Sequence, residues 1–386
     1  MDASIVNRLC CPICSSDLRL TAFEVESVEQ EGGVPADNSS TIRTIVRDGL
    51  LLCDRCKVWY PIYSYVPVLL TFETALHRKF ARTVQPHMRA IDGYSAPSGS
   101  PQPGEESIQQ SFTEEWDQVQ DSDLSFVYSE EELKTLNREV WLTWLKDAPP
   151  IRNILNVGCG LGRESIALQS VAIGSEVFAI DLNFGLLESG RRLKEKPALH
   201  FIIASLFALP FKGRQFDLVY SQGVIHHTFS THQALVKLSK HVAPGGFMFV
   251  WVYALDDHLV SHGLRGIVTR TEFFFESLVR PVVARLPEYA RRLFFLSLTL
   301  ALHPLIKGRV RNKKSWTLAN TNHDLRDWLS HRYAYRHSYN ELIEDFEDLG
   351  FQIVAVQSPA SYRRHFNRPL WGVGLTGRMR QANESK

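Results

Sequence analysis

The sequence has no long apolar run and no excess of charge of either sign. Its 43 lysines and arginines balance 42 aspartates and glutamates, which leaves a net charge of +1. Any attraction to nucleic acid or to a membrane must therefore be local. No uninterrupted apolar stretch reaches the roughly 18 residues that a membrane-spanning helix needs. Residues 1–8 lack a basic segment leading into an apolar core, so we expect no signal peptide and a cytoplasmic protein.

Cysteine is scarce, and four of the six cysteines form two C-x-x-C pairs, Cys11 with Cys14 and Cys53 with Cys56. Four thiolates complete a closed tetrahedral Zn²⁺ site, with no position left for water or substrate. Neither pair lies between the strand and helix of a βαβ unit, as a thioredoxin-like redox motif would. We predict a structural zinc ion in an N-terminal ribbon. Unpaired structural cysteines are the alternative, and Cys10 could take the place of Cys11.

Glycine is concentrated after an apolar run at 154–157, at the alternate positions Gly158, Gly160 and Gly162. A helix-like segment begins at Arg163, so the pattern predicts a strand, a tight turn and a helix, as in nucleotide-binding βαβ units. The third glycine of a dinucleotide G-x-G-x-x-G motif would fall on Arg163, so that fingerprint is excluded. A second predicted strand, 176–180, ends at Asp181, which is placed to accept hydrogen bonds from ribose hydroxyls.

Predicted strands alternate with predicted helices through the centre of the chain. The strands are 152–157, 176–180, 201–204, 216–221 and 246–253, and the helices are 163–170, 184–193 and 232–241. This alternation predicts an α/β fold with a doubly wound parallel sheet. A helix at 339–349, a strand at 351–357 and an apolar segment at 370–375 follow a long insertion.

Three motifs occur in the order found in class I S-adenosylmethionine (SAM) methyltransferases of the type 11-like group. They are the glycine loop, F-D-L-V-Y-S at 216–221 and H-V-A-P-G-G-F at 241–247. The resemblance implies a Rossmann-like, seven-stranded sheet that closes with an antiparallel hairpin, and SAM as cofactor. The phrases G-V-I-H-H-T and W-V-Y resemble a bacterial branch that includes quinone-biosynthesis-type and other small-molecule methyltransferases. We therefore expect methyl transfer from SAM to a small molecule.

The resemblance also implies a set of cofactor-binding residues: Asn156, Gly158, Cys159, Gly160, Gly162, Asp181, Leu182, Ser205, Leu206 and Gln222. Asn156 and Ser205 stand where the family usually has acids, and each substitution loses a charge-assisted hydrogen bond. His226 and His227 follow the fourth strand, where a histidine can act as a general base because its usual pKa lies near neutral pH. Packing roles are the alternative for both histidines.

The first seventy residues resemble small zinc-ribbon proteins that partner and activate tRNA, rRNA and protein methyltransferases. A tRNA or rRNA methyltransferase is therefore the second hypothesis. Against it, Ser221-Gln222-Gly223-Val224 replaces the Asn-Pro-Pro-Tyr-type tetrapeptide that grips a base or amide nitrogen, so a nucleic-acid partner is less expected. A degenerate scaffold that binds SAM poorly is the third hypothesis, favoured by Asn156 and Ser205.

We predict four regions: a ribbon at 1–75, a linker at 76–111, a methyltransferase domain at 112–257 and 331–386, and a helical insertion at 258–330. The linker includes a Pro/Gly/Ser-rich stretch, 95–107, which composition predicts to be extended and mobile. Residues 130–146 are predicted to be helical. The phrase F-x-x-E-W at 112–116 resembles the helix that covers the SAM pocket in many methyltransferases, and an ordinary amphipathic helix is the alternative.

The insertion carries a local excess of basic residues between 258 and 314. Three glutamates, Glu272, Glu276 and Glu288, oppose eleven basic residues: Arg265, Arg270, Arg280, Arg285, Arg291, Arg292, Lys307, Arg309, Arg311, Lys313 and Lys314. Apolar clusters alternate with these charges. Such a segment predicts peripheral contact with an anionic membrane or a lid over a hydrophobic or lipid-linked acceptor. A helical cap packed on the sheet is the alternative.

Overall fold

The computed structural model describes residues 1–30, 41–88, 91–117, 128–194, 196–255, 264–309, 316–367 and 372–381. Within these ranges eleven strands occur. They are β1 (Arg19–Gln30), β2 (Thr41–Cys53), β3 (Val58–Tyr63), β4 (Val66–Leu69), β5 (Asn153–Val157), β6 (Glu176–Asp181), β7 (Leu199–Ala204), β8 (Phe216–Gln222), β9 (Val242–Tyr253), β10 (Phe351–Val356) and β11 (Gly372–Met379).

The same part of the chain contains twelve α helices. They are α1 (Ala75–Thr83), α2 (Gln85–Met88), α3 (Glu105–Asp117), α4 (Glu130–Leu136), α5 (Arg163–Val171), α6 (Leu186–Ser189), α7 (Thr231–Ser239), α8 (Leu264–Val283), α9 (Glu288–Arg309), α10 (Leu318–Leu329), α11 (Tyr339–Asp348) and α12 (Pro359–Phe366).

All eleven strands belong to one sheet, in the order β1-β2-β3-β4-β7-β6-β5-β8-β9-β11-β10. The seven strands from β7 to β10 are the predicted Rossmann-like α/β sheet, in which β7, β6, β5, β8 and β9 are parallel and β11 runs antiparallel to both neighbours. The predicted methyltransferase-like fold is confirmed, but the sheet has eleven strands rather than seven. The ribbon supplies the other four, because β4 pairs in parallel with β7 at Val68↔Ile203 and Leu69↔Ala204.

The central strands read as nearly continuous apolar runs because both faces of the sheet are covered. Every residue of β7 is buried, and so are four of the five residues of β5. Two large hydrophobic clusters pack on opposite faces, one containing Leu155 and Ile202 and the other Ile154 and Phe201. Neighbouring residues of one strand thus enter different clusters, which is the pattern of a parallel sheet between two layers.

The predicted linker is more ordered than its composition indicates. Helices α1 and α2 occupy 75–88, and the Pro/Gly/Ser-rich stretch lies against the ribbon. The Trp59 N–H donates to the Ser95 carbonyl (3.0 Å), and the Gly99 N–H donates to the Thr71 carbonyl (2.8 Å). The backbone of the predicted linker is therefore hydrogen-bonded at Ser95 and Gly99, which composition could not indicate because it does not report whether an extended backbone finds partners.

The expectation for residues 130–146 changes in detail. The helix predicted at 130–146 is α for its first part, and then continues as a π turn at Asn137–Trp141 and a 3-10 turn at Thr143–Asp147. Residues 31–40, between β1 and β2, lie outside the described residues, as do the first two residues of the segment predicted at 370–375.

Helices α8, α9 and α10 lie in the segment predicted to be a helical insertion. Two of its basic residues do not face solvent. Arg280 pairs with Glu276 at 2.7 Å, and Arg291 pairs with Glu114 of α3, all four side chains being buried. Arg311, Lys313 and Lys314 lie outside the described residues. Among the described helices, none combines the length and apolar character that crossing a membrane requires.

Candidate active site

A cavity of about 420 Å³ lies at the carboxyl ends of β5, β6 and β8. Ligands of open α/β sheets bind at this edge, where loops diverge from the strand ends. One wall is built from the glycine loop after β5 and from the turns after β6, β7 and β8. The opposite wall is built from α3 and α10, and therefore includes part of the insertion.

The glycine loop depends on backbone conformations that side chains disfavour. Gly158 and Gly162 have φ angles of +77° and +82°. A Cβ on Gly158 would lie 2.1 Å from Val224 Cγ2, and one on Gly162 would lie 2.3 Å from Phe201 Cε1. These two glycines therefore permit close packing against the protein. Gly160 lines the cavity and faces Trp116 of α3.

Asp181, at the end of β6, holds this loop in place through hydrogen bonds. Its carboxylate accepts hydrogen bonds from the Gly160 N–H (2.7 Å) and the Asn183 N–H (2.9 Å). Burial raises the pKa of Asp181, and the backbone N–H donors oppose that rise. Each oxygen keeps acceptor capacity beyond its backbone bond, and the residue lines the cavity. Asp181 can therefore bind a ligand hydroxyl while holding the loop in place.

The predicted cofactor residues divide into two groups. Those that line the cavity are Gly158, Cys159, Gly160, Asp181, Leu182, Leu206 and Gln222. Asn156 and Ser205 are used elsewhere: Asn156 Nδ2 donates to Ser165 Oγ (2.9 Å), and Ser205 Oγ accepts from the Phe207 N–H (3.1 Å). These two and Gly162 are not among the lining residues, so they support the loops around the cavity.

The two predicted catalytic histidines occupy different environments. His227 lines the cavity and its Nδ1 lies 2.8 Å from the Tyr333 carbonyl, so Nδ1 carries a proton. Burial lowers the pKa of His227 to about 3, which keeps the ring neutral at neutral pH. His226 is fully buried against Tyr253, with ring centroids 4.0 Å apart, and is not among the lining residues. Burial also places the pKa of His226 well below its usual range.

Sequence reasoning missed Glu164, the second residue of α5. Its carboxylate accepts a hydrogen bond from the Tyr220 hydroxyl (2.7 Å) and lines the cavity. Burial raises the pKa of Glu164 to about 7, although the Tyr220 hydrogen bond opposes the rise. A carboxyl group beside a glycine loop has no distinctive spacing, so the residue pattern carried no signal for it.

The wall formed by α3 and α10 is acidic and carries histidine, and sequence reasoning missed it as a site. Its charged and histidine lining residues are Glu105, Glu115, His323, Asp324 and Asp327. Burial raises the pKa of Asp324 to about 7. Burial alone would raise the pKa of Asp327, but the neighbouring His331 lowers it overall. The phrase F-x-x-E-W, which contains Glu115, was the one signal in the sequence.

Glu115, Asp327 and His331 bring one ligand atom each within 4.8 Å of one another. His331 Nε2 lies 3.2 Å from Glu115 Oε2 and 3.7 Å from Asp327 Oδ1. Burial would lower the pKa of His331, but these carboxylates raise it overall. Glu115 and His331 are buried, whereas Asp327 is half-buried and faces the cavity.

Far from the cavity, the four predicted ligand cysteines come together in the ribbon. The Sγ atoms of Cys11, Cys14, Cys53 and Cys56 lie within 4.8 Å of one another, and the Sγ atoms of Cys14 and Cys53 are 3.6 Å apart. Cys10 is buried outside this cluster, and its N–H donates to the Pro210 carbonyl (2.9 Å). The arrangement therefore selects Cys11 rather than Cys10.

We predict that Gly162→Ala destabilises the protein more than Gly174→Ala does. Both glycines have nearly the same φ (+82° and +81°), but no atom lies within 4 Å of a Cβ on Gly174. The left-handed backbone costs each variant about 1–2 kcal/mol. Contact with Phe201 adds about 1–3 kcal/mol at Gly162 alone. Urea unfolding measures both losses, and equal losses would mean that Phe201 does not limit this turn.

Residues 155–250 match the family of methyltransferase domains. The chain is 33% identical over 103 residues to a malonyl-[acyl-carrier protein] O-methyltransferase of Enterobacter lignolyticus, covering 27% of this chain and 39% of that protein. It is 32% identical over 125 residues to a tRNA U34 carboxymethyltransferase of Syntrophotalea carbinolica, covering 30% and 38%. The chain thus spans less than half the length of these relatives.

A solved structure is also similar, the 1,6-didemethyltoxoflavin-N1-methyltransferase of Burkholderia thailandensis. The sequence identity is 14%, the match covers 74% of this chain and 93% of that chain, and the TM-score is 0.44. The glycine loop, the alternating strand order and the family match all fall in the same segment of the chain. Residues 155–250 of this chain therefore carry a methyltransferase domain.

Proposed function

We propose that this protein transfers the methyl group of SAM to a small-molecule acceptor held between the glycine loop and helices α3 and α10. The observation that carries the proposal is one cavity with two chemically different walls. The methyltransferase wall contains Gly160 and Asp181, and the other contains Glu115 and Asp327. A cofactor and an acceptor can therefore lie side by side away from bulk water.

The residues of the first wall fit SAM. The loop at 158–160 brings backbone close to the cavity at the start of α5, and Asp181 offers acceptor capacity for ribose hydroxyls. Leu182, Leu206 and Phe207 provide apolar surface suited to an adenine ring. SAM supplies an electrophilic methyl group on a sulfonium. The protein must then align the acceptor with that methyl and exclude water.

The second wall indicates the kind of acceptor. Four carboxylates and two histidines line it or lie directly behind it, so it suits a compact molecule with hydroxyl or cationic groups. His227 is neutral and presents no positive charge to that molecule. Trp116 covers the glycine loop, as the predicted covering helix would. We propose that these residues accelerate methyl transfer by aligning the acceptor, and that His227 does not act as a strong general base.

RNA is the second candidate acceptor, because one matched relative is a tRNA U34 carboxymethyltransferase. The charge of the second wall, called the acceptor wall below, disfavours RNA as the acceptor. Glu115, Asp324 and Asp327 lie where an RNA substrate would have to approach, and phosphates are bound by basic rather than acidic surfaces. The third candidate, a degenerate scaffold, loses its original argument, because Asn156 and Ser205 have partners outside the cavity.

We expect calorimetry to show SAM binding by the purified protein and a loss of about 1–3 kcal/mol of binding free energy in Asp181→Ala. The matched control is Asp217→Ala. Asp217 accepts two backbone N–H bonds, from Arg152 and Asn153 (both 2.9 Å), but near the start of β5, away from the cavity. Unchanged SAM affinity in Asp181→Ala, or an equal loss in both variants, would contradict the cofactor assignment.

The same variants identify the acceptor class. Cells that produce wild type, Asp181→Ala or Asp217→Ala would be fed labelled methionine, and their small molecules and RNA would be compared by mass spectrometry. The proposal expects a labelled small molecule with wild type and Asp217→Ala but not with Asp181→Ala. Label in RNA instead would favour the second candidate, and no protein-dependent label would favour the scaffold.

We further propose that the four ribbon cysteines bind one structural Zn²⁺. With Zn–S bonds of about 2.3 Å, tetrahedral ligands are separated by about 3.8 Å, close to the 3.6 Å between Cys14 and Cys53. The Cys56 N–H lies 3.4 Å from Cys53 Sγ, as expected for a thiolate that accepts backbone hydrogen bonds. Such a site stabilises the ribbon and leaves no position for catalysis.

Elemental analysis of freshly purified protein is expected to give one zinc per chain for wild type and for Cys10→Ser. Cys53→Ser should lose the zinc and become protease-sensitive in the ribbon, because structural zinc contributes folding free energy directly. Cys10 is the matched control, since it is buried beside Cys11 but outside the cluster. Metal-free wild type, or zinc retained by Cys53→Ser, would refute the assignment.

We also propose that α8 and α9 contact an anionic membrane surface in a cytoplasmic setting. Each helix exposes an apolar stripe: Ile267, Phe274, Leu278 and Val282 on α8, and Tyr289, Leu293, Leu296 and Leu300 on α9. Contiguous apolar surface of this kind commonly marks an interaction site. Exposed Arg270 and Arg285 supply positive charge beside it. None of the described residues of these two helices lines the cavity, whereas α10 of the same insertion does, so we propose that α10 forms the predicted lid.

In liposome flotation at low salt, wild type is expected to rise with anionic vesicles, and the double variant Leu278→Glu/Leu293→Glu is expected to stay behind. Ile173→Glu is the control, because Ile173 is 90% exposed on the unrelated turn after α5. Arg291 is unsuitable for this test, since its salt bridge with Glu114 is buried. If wild type fails to float, α8 and α9 have a packing role alone.

A further inference from the structure

We propose that Glu115, Asp327 and His331 bind a divalent transition-metal ion at the acceptor wall of the cavity. One imidazole nitrogen and two carboxylate oxygens form a donor set that suits Mn²⁺, Fe²⁺ or Zn²⁺. This ion is distinct from the zinc ion proposed for the ribbon. It would lie between α3 and the C-terminal end of α10, where α3 meets the insertion, rather than in the methyltransferase sheet.

The spacing of the three donor atoms fits a shared ion. His331 Nε2 is 3.2 Å from Glu115 Oε2 and 3.7 Å from Asp327 Oδ1. Ligands about 2.1 Å from a metal are separated by roughly 3.0 Å in octahedral and 3.4 Å in tetrahedral geometry. Although close, Nε2 and Oε2 make no hydrogen bond of acceptable geometry, and both atoms are buried. They converge on a common point without bonding each other.

The tautomer of His331 favours metal binding. Ser111 Oγ donates its proton to the Ile108 carbonyl (3.0 Å), so it can only accept from His331 Nδ1, which lies 3.1 Å away. Nδ1 is therefore protonated, and in the neutral ring Nε2 carries the lone pair. Phe112 stacks on the ring with centroids 3.9 Å apart and fixes its plane. Metal-binding histidines are commonly oriented by a second hydrogen bond of this type.

The two carboxylates are oriented in the same way. Asp327 Oδ2 accepts from the Tyr253 hydroxyl (3.2 Å), which leaves Oδ1 directed at His331. Glu115 Oε1 lies 3.3 Å from His323 Nδ1, which leaves Oε2 for the common point. Asp327 and His331 thus each have one atom held by a hydrogen bond, and Glu115 has one oxygen in a charged contact with His323. Hydrogen-bonded supports of the kind found at Asp327 and His331 set ligand direction at metal sites.

Charge and access are also suitable. Two carboxylates and a neutral imidazole carry a charge of −2, which a divalent ion neutralises. Glu115 and Asp327 line the cavity, so an ion there would have coordination positions open to a bound acceptor. This role, unlike the binding itself, rests on the proposed function.

An ion at this point would select acceptors with an oxygen donor, such as a hydroxyl or carboxylate. A metal-bound hydroxyl loses its proton to solvent more readily, which makes the oxygen a better nucleophile for a methyl group. An ion at this point would thus activate the acceptor oxygen directly.

Titration of the purified full-length, zinc-loaded protein with Mn²⁺, followed by electron paramagnetic resonance of the free ion, tests the site. Mn²⁺ prefers oxygen and nitrogen ligands, so the ribbon thiolates should not take it up. Wild type is expected to bind one Mn²⁺ per chain. Asp327→Asn and the near-isosteric Glu115→Gln are each expected to weaken binding about tenfold or more. Asp324→Asn is the matched control, because Asp324 lines the same wall outside the cluster and should leave binding near wild type.

Two outcomes would overturn the proposal: no Mn²⁺ binding by wild type at millimolar concentration, or wild-type affinity in both Asp327→Asn and Glu115→Gln. Thermal unfolding of each variant checks that the fold is intact. If one variant unfolds, the other decides, since their carboxylates lie on different helices. SAM calorimetry on the same samples separates this inference from the proposed function. Mn²⁺ binding without SAM binding would support the metal site and refute the proposed methyltransferase function.

Discussion

Backbone pairing between β4 and β7 is the constraint on which the rest of the structure depends. Without it, β7 would be an open edge strand with unpaired N–H and C=O groups. The ribbon closes that edge at Val68 and Leu69, and its own strands continue the sheet to β1. The same ribbon holds the segment at 95–99 through backbone bonds from Trp59 and to Thr71. That segment leads directly into α3, so the ribbon influences where Glu115 and Trp116 stand over the cavity.

A buried ion cluster completes this arrangement from the other side. Glu114 of α3 pairs with Arg291 of α9 and lies 3.6 Å from Arg326 of α10. Removing one partner of a buried pair is costly, because it leaves an uncompensated charge. The cluster therefore specifies which face of α3 meets the insertion. Glu115, the next residue, is consequently directed at His323 and His331, and the acceptor wall depends on contacts that lie behind it.

The parts of this structure that could be predicted are those with a local signature. Three alternating glycines followed by a helix, and an acid at the end of the next strand, predicted the loop around Gly160 and Asp181. Two C-x-x-C pairs predicted the cysteine cluster. The β4–β7 pairing could not be predicted, since an edge strand carries no mark of its partner. The acceptor wall could not be predicted either, because Glu115 and His331 are more than two hundred residues apart in sequence.

The pair His226-His227 shows why a motif can indicate the right place and leave the role open. Both histidines follow β8, as predicted, but burial lowers both pKa values, so neither has the near-neutral pKa that favours a general base. A neutral His227 held by the Tyr333 carbonyl can still orient an acceptor through a hydrogen bond. The charged groups beside His227 come instead from α3 and α10. Under the proposed function, the acceptor side of the cavity therefore depends on how the insertion meets α3, and the glycine loop and Asp181 at the edge of the parallel sheet form the cofactor side.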